Sequence, residues 1–379
     1  MKKITIVKRC SIKIIIVVFI FIAGCNNSSK NADSNFPAHL KGYEKVYKEN
    51  PRQASLDWFG DARFGMMVSY GLVSVDARHE FEQWKYKIPV KEYEKKKERF
   101  TAEKFDADFI CDLAVDAGMK YVTFVTKHCD GFCLWQTAET DFNSFNSPAY
   151  RDLVGEMADA CRKRNLGLFL FYEHGFDWRH PHGPRMSEFP KGPRITEIAY
   201  PTPEPTYAYG KDYDLNKYVE YVSAQIAELI TNYGPIAGVW LDGAAVPASG
   251  DHKKFKLQEL YDQIHKEQSH ALISYKWGIT GTEDFFAPES VQVKYIPAER
   301  ADAKPTEMCE PLNRGWFYIK GSEHRNADWV MKRLEYAQGK NSNYLLGIGL
   351  LADGSVHPSD IETLKEVGRR LRNKSANGQ

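Results

Sequence analysis

The chain lacks an excess of either charge: 51 lysines and arginines stand against 50 aspartates and glutamates, a formal net charge of +1. That balance gives no basic surface of the kind that grips nucleic acid, and no general attraction to an acidic membrane. It also lacks a disulfide framework. Of the seven cysteines, at 10, 25, 111, 129, 133, 161 and 309, the last five are an odd number scattered over a long chain. Cys129-x-x-x-Cys133 is not a usual zinc spacing, and no metal is expected. There is no internal repeat, and no apolar run of the roughly 20 residues that span a bilayer. No Gly-x-Gly-x-x-Gly follows the first strand pattern, which removes the main support for a dinucleotide fold. No serine nucleophile elbow is visible either, and no cofactor is expected.

What is present is ordinary globular composition, 43% hydrophobic and 27% charged. Aromatic residues make up 13%, somewhat rich; sugar-binding clefts use aromatics, as do large cores. The length admits two average domains, or one α/β barrel of about 250 residues with insertions.

The first residues have the form of an address. Lys2, Lys3, Lys8, Arg9 and Lys13 precede the apolar run Ile14 to Ala23, then Gly24 and Cys25. A basic segment, a short apolar segment and small residues make a secretory signal. Ile22-Ala23-Gly24-Cys25 resembles a bacterial lipobox, in which the cysteine thiol receives the lipid. The expected organisation is a signal peptide over 1–24, a lipidated Cys25 with a polar tether over 25–49, and a catalytic domain over 50–379. The expected location is the bacterial periplasm or outer membrane, with membrane contact through the anchor only. The sequence does not specify an oligomeric state.

Short apolar runs alternate with amphipathic stretches through the rest. Strands are expected at 63–70, 121–126, 167–172, 238–241, 271–275 and 344–348. Helices are expected at 105–117, 152–164, 215–231, 255–266, 328–338 and 361–371. Strands apolar on both faces, alternating with helices, imply a parallel sheet. The reading is a single (β/α)8 TIM-like barrel, with its sixth and seventh strands somewhere in 291–325.

A barrel carries its active site at the C-terminal ends of its strands. Polar or aromatic residues recur there: Ser69-Tyr70, Lys127-His128-Cys129-Asp130, Tyr172-Glu173-His174, Trp240-Leu241-Asp242-Gly243 and Tyr275-Lys276-Trp277. Asp242 follows a buried strand directly, and small residues after it leave it uncovered. A carboxylate so placed suits a nucleophile or a general base. Glycoside hydrolysis needs a second carboxyl group, and Glu283, Asp284, Glu289, Glu307 and Glu310 lie downstream. Spacing does not choose among them.

Several motifs in order carry a family resemblance. They are Asp61-Ala62-Arg63-Phe64-Gly65-Met66, Asp116-Ala117-Gly118-Met119-Lys120-Tyr121, Thr126-Lys127-His128-Cys129-Asp130-Gly131-Phe132, Val239-Trp240-Leu241-Asp242-Gly243 and Asn343-Tyr344-Leu345-Leu346-Gly347. Over roughly residues 55–372 the chain resembles the α-L-fucosidases of glycoside hydrolase family 29. The resemblance implies a retaining exo-glycosidase acting on terminal α-linked sugars of glycans. Asp242 would be the nucleophile. Asp284-Phe285-Phe286-Ala287-Pro288-Glu289 fits the family's acid/base stretch and implies Glu289, with Glu283 next.

The family's polar grips on the sugar are altered here. His, Glu, His and Arg become Ser69, Gln83, Cys129 and Lys276. With His128, Trp84, Tyr172 and Trp240, these are the expected substrate-binding residues. The changes imply a roomier pocket, less tuned to fucose. A related glycosidase with another sugar, or a sugar-binding lipoprotein without activity, are the competing readings. The family's C-terminal β-sandwich is expected to be absent.

Overall fold

The computed structural model describes residues 36–184, 213–243, 246, 252–276, 278–289 and 304–376. The signal, Cys25 and Trp277 lie outside the described residues.

Seven strands, β1 (Phe64–Ser69), β2 (Tyr121–Lys127), β3 (Gly167–Glu173), β4 (Gly238–Asp242), β5 (Leu272–Tyr275), β6 (Glu307–Pro311) and β7 (Asn343–Gly349), form one sheet in the order β5-β4-β3-β2-β1-β7-β6. Every pairing is parallel. The longer helices are α1 (Pro51–Ala62), α2 (Ala107–Asp116), α3 (Leu153–Lys163), α4 (Leu215–Thr231), α5 (Leu257–Glu267), α6 (Ala327–Gly339) and α7 (Pro358–Ala376). The starts of α1, α2, α3, α4 and α6 are set by short polar side chains that accept a backbone N–H the helix cannot satisfy. Asn50 caps α1 with Pro51 in its first turn, Asp106 caps α2, Asp152 caps α3, Asp214 caps α4 and Asn326 caps α6.

The eighth stave is irregular and lies earlier than expected. Asp284 N donates to Ile273 O (2.8 Å) and Ala287 N to Lys276 O (2.7 Å) on the β5 side. On the other side Phe286 N donates to Pro305 O (3.0 Å), and Phe286 and Glu289 form parallel bridges to Thr306 and Cys309. Segment 284–289 thus joins the two edge strands, and β6 follows it. The expectation of two strands within 291–325 is corrected: one of them precedes that range. Its Phe-Phe-Ala-Pro composition hides it, because proline donates no hydrogen bond and interrupts a ladder.

The sheet separates two cores. Outside it, a large cluster that includes Val122, Leu170, Tyr172, Ile226 and Ile264 packs strands on helices. Inside the barrel, Met67, Tyr121, Val125, Phe169, Phe171, Trp240, Leu272 and Leu345 fill the lumen. Strand side chains alternate, so residues two apart share a face. On β3 this puts Phe169, Phe171 and Glu173 inward; on β4 it puts Trp240 and Asp242 inward.

The expected tether ends sooner than residue 49. Residues 38–40 form a 3-10 turn and Glu44–Glu49 a helix. Leu40 is fully buried, Phe36, Tyr43 and Tyr47 pack on the lumen cluster, and His39 meets Trp58 edge-on. Apolar residues spaced through this stretch let it cover α1, so it belongs to the barrel unit, which runs from Asn35.

Candidate active site

Asp242 ends β4 and faces the mouth. Its Oδ1 accepts the Gly243 N–H at 2.7 Å, and its Oδ2 accepts Lys276 Nζ at 2.9 Å. The same ammonium lies 3.4 Å from Glu289 Oε2, and Trp316 Nε1 donates to Glu289 Oε1 at 2.7 Å. One nitrogen touches both carboxylates, so those two oxygens lie at most about 6.3 Å from each other. Burial disfavours the Lys276 charge, but Asp242 and Glu289 outweigh it and hold the ammonium well above the usual lysine range. Glu80 completes this side: its Oε2 accepts the Trp316 N–H at 2.8 Å, and burial raises its pKa.

Glu173 ends β3 in direct register with Asp242, on the same face. Burial, and then the Asp242 charge, push its pKa up to about 8. Its Oε1 has no hydrogen-bond partner among the described residues, and the Cys129 thiol lies close to its carboxyl group. His128 stands beside it, packed against Phe81, Phe171 and Phe317. Burial, with Lys276 and Lys127 nearby, lowers the His128 pKa to about 3, so its imidazole is neutral. His128, Cys129 and Glu173 each offer a donor atom within 4.8 Å of the others, enough for a metal ion by position. A second such trio, His324, His357 and Asp360, is already joined by a 2.6 Å His324–Asp360 bond and stacked imidazoles.

The close approach of β3 and β4 depends on glycine. Gly243 has φ +131°, and a Cβ there would lie 2.2 Å from Gly175 backbone atoms and 2.6 Å from Glu173 Oε1. His174 N and Gly175 N both donate to Asp242 O, at 2.8 and 2.9 Å, and fix the height of the carboxylate.

Several expected substrate contacts are corrected by position. Tyr172 points outward: its hydroxyl donates to Gln225 Oε1 on α4 at 2.7 Å, and its ring packs in the outer core. Strand alternation requires this once Glu173 faces in. Trp240 is floor, not wall: it is fully buried, stacked on Phe171, with Nε1 donating to Glu307 Oε1 at 3.0 Å. Gln83 is buried in the short helix Glu82–Lys85, and Trp84 packs against the outer core. The acidic and aromatic pair that reaches the mouth is Glu80-Phe81, which precedes the helical turn that carries Gln83 and Trp84 away. Ser69 faces inward and is fully buried, with Oγ unpartnered among the described residues. Lys276 holds two carboxylates where a grip on hydroxyls was expected.

The other downstream carboxyls are engaged elsewhere. Burial opposes ionisation of Glu283, but N–H groups of Ile279 and Thr280 and the Tyr261 hydroxyl hold its pKa below the usual range, a poor starting point for an acid. Asp284 accepts Ile273 N and pairs with His265. Glu310 pairs with Arg333 outside the barrel. Glu307 lies in the floor, bonded by Tyr121 and Trp240. Glu80, Phe81, Trp316 and Phe317 are mouth residues the sequence reading passed over, and Glu173 was placed at a strand end but not among the expected substrate contacts. Alternation along β3 was a usable signal for Glu173; nothing local marks the other four.

The matches to known proteins agree with this geometry. The family model described as alpha-L-fucosidase matches residues 31–376. Alpha-L-fucosidase isoenzyme 1 from Paenibacillus thiaminolyticus superposes with a TM-score of 0.75 at 32% identity, covering 86% of this chain and 77% of that one. Alpha-L-fucosidase AlfC from Lactobacillus casei, solved with its alpha-L-fucose product, gives 0.74 at 26% identity, covering 85% and 99%. Tissue alpha-L-fucosidase of Bos taurus is 28% identical over 344 residues, 85% of this chain and 68% of that protein. The chain spans 64% of the putative alpha-L-fucosidase of Caenorhabditis elegans. With the family model covering nearly the whole chain and these motifs converging at one barrel mouth, the protein belongs to the α-L-fucosidase family of glycosidases.

Proposed function

We propose that this protein is a retaining α-L-fucosidase, with Asp242 as nucleophile and Glu289 as acid/base. One observation carries the reading: two carboxyl groups at stave ends share the Lys276 ammonium, so their bonded oxygens are at most about 6.3 Å apart, a bound that admits the roughly 5–5.5 Å of retaining pairs and falls short of the inverting range. One relative, AlfC, solved as a single-substitution variant with 4-nitrophenyl-α-L-fucopyranoside and with Fuca(1,6)GlcNAc, supports the substrate class.

Lys276 pairs with the Asp242 carboxylate and orients it for attack. Asp242 attacks the anomeric carbon as the glycosidic bond breaks, and Glu289 gives its proton to the leaving oxygen. The product is a glycosyl ester on Asp242. Glu289 then takes a proton from water, which attacks the same carbon and frees Asp242, so two inversions retain configuration. Trp316 and Glu80 hold Glu289 and the Trp316 loop in place. Following hydrolysis of an aryl α-L-fucoside by proton NMR tests this: α-L-fucose should form first, and initial β-product would refute the retaining assignment.

The same proposal places the enzyme outside the cytoplasm, anchored by lipid on Cys25. The basic segment, the apolar run and Ile22-Ala23-Gly24-Cys25 support it. Cys25→Ala should abolish labelling by a palmitate analogue; equal labelling of both forms would refute it.

A further inference from the structure

We propose that Glu173 is a substrate-contacting residue of this site: as the neutral acid, it hydrogen-bonds through Oε1, alongside His128, to a hydroxyl of the sugar whose anomeric carbon faces Asp242. The proposal rests on the fucosidase reading and adds a residue to it.

The geometry comes first. Glu173 and Asp242 are registered neighbours on parallel strands with side chains on one face. The Asp242 carboxylate is spoken for by the Lys276 ammonium and the Gly243 N–H. Glu173 Oε1 and His128 Nδ1 are both buried, and neither has a partner among the described residues. Their residues' donor atoms converge within 4.8 Å. A buried polar atom left unpaired costs roughly 1–3 kcal/mol. Two such atoms converging beside a nucleophile are what a site built to bind hydroxyls looks like before its ligand arrives.

The protonation state follows from the neighbours. Lys276 pairs with Asp242 on β4 and not with Glu173 beside it, and two carboxylates side by side do not both ionise readily. Lys276, at the end of β5, bonds Asp242 and Glu289. Lys127 on β2 is turned outward to Asp177 at 2.9 Å. His128 is neutral, and the Cys129 thiol is held well above its usual range by burial and by Glu173 and Asp242. Tyr275 on β5 donates to Gly243 O, Tyr218 on α4 donates to His174 O, and the buried His174 is neutral. No cation among the described residues therefore bonds Glu173, and it keeps its proton at neutral pH. When Asp242 becomes a glycosyl ester its charge is gone, and the pressure on Glu173 to stay protonated falls; the hydrogen bond to the sugar then keeps the proton in place.

The test compares full-length wild type, Glu173→Gln and Glu173→Ala on an aryl α-L-fucoside across pH 5 to 9, with circular dichroism as the folding control. Glu173→Gln keeps the shape and an N–H donor but cannot ionise. It should retain kcat/KM within about ten-fold and shift the alkaline limb, to which wild-type Glu173 adds as it ionises and which Glu289 then sets alone. Glu173→Ala should lose roughly ten- to a hundred-fold in kcat/KM, with KM raised. A structural role would lower the folded fraction in both variants and leave the alkaline limb unmoved, which overturns the proposal. Unchanged kcat/KM in folded Glu173→Ala overturns it while leaving the fucosidase reading standing. No turnover of any α-L-fucoside by wild type refutes that reading and takes this proposal with it. Stoichiometric zinc in the purified protein, lost in Cys129→Ser, would also overturn it, because Glu173 would then be an ionised ligand.

Discussion

Glu307 and Glu173 are two buried carboxyls that face the same barrel lumen, one in the floor and one at the mouth. Glu307 accepts hydrogen bonds from Tyr121 at 2.6 Å and Trp240 at 3.0 Å. Glu173 has an oxygen with no partner among the described residues and a carboxylate as its strand neighbour. Burial raises both pKa values, to about 7 for Glu307 and about 8 for Glu173. In the floor two donors work against that rise; at the mouth the first neighbour, Asp242, adds to it. The floor spends its polar groups on the fold, whereas the mouth leaves them for a ligand.

The contrast is open to breaking by mutation. The largest effect belongs to the mouth: Asp242→Asn should lower kcat by roughly 10⁴-fold or more with the melting curve unchanged. Wild-type turnover in that variant, with contamination excluded, would remove Asp242 from the mechanism. Glu289→Ala should cost about 10²–10⁴-fold on natural glycosides and much less on activated aryl substrates, with partial recovery by azide. If Glu283→Ala shows that pattern instead, the acid/base is misassigned.

In the floor the sign reverses, with stability moving and chemistry staying. Glu307→Leu leaves the Tyr121 hydroxyl and Trp240 N–H without their acceptor and should cost about 1–3 kcal/mol in urea denaturation. The folded fraction should keep its kcat within about three-fold. A large loss of kcat in folded protein would make Glu307 part of the site.

An acid whose folded pKa is raised keeps its proton in the folded state where the unfolded chain has lost it. Glu173 should therefore cost stability increasingly as pH rises from about 4.5 to about 8, and that cost should be absent below the window. Glu173→Gln should flatten this part of the pH–stability curve. An unchanged slope would mean that Glu173 is ionised in the folded protein. The smallest effect is expected at Tyr172→Phe, which loses one buried bond to Gln225 and roughly 0.5–1.5 kcal/mol, with KM unchanged.

Much of this was written locally. The apolar runs at 121–126, 167–172 and 238–241 are strands because β-branched and aromatic residues suit a sheet buried on both faces. The helix over Leu215–Thr231 follows from its apolar spacing and the Asp214 cap. Asp242 is legible because a carboxylate directly after a buried strand, followed by glycine, has one sensible place in a barrel.

Other features depend on contacts that no local pattern encodes. Segment 284–289 becomes a stave only because β5 and β6 approach it from both sides. Glu80 and Trp316 meet across 236 residues, so neither neighbourhood announces the other. The sequence by itself determined the alternation of strand and helix, the barrel they imply and the carboxylate at the end of β4, since these follow from periodicity and chain direction. The tertiary structure decided which polar residues face the barrel mouth. That choice depends on side-chain parity and on loops from distant strands converging at one mouth, where Tyr172 turned out and Glu173 turned in.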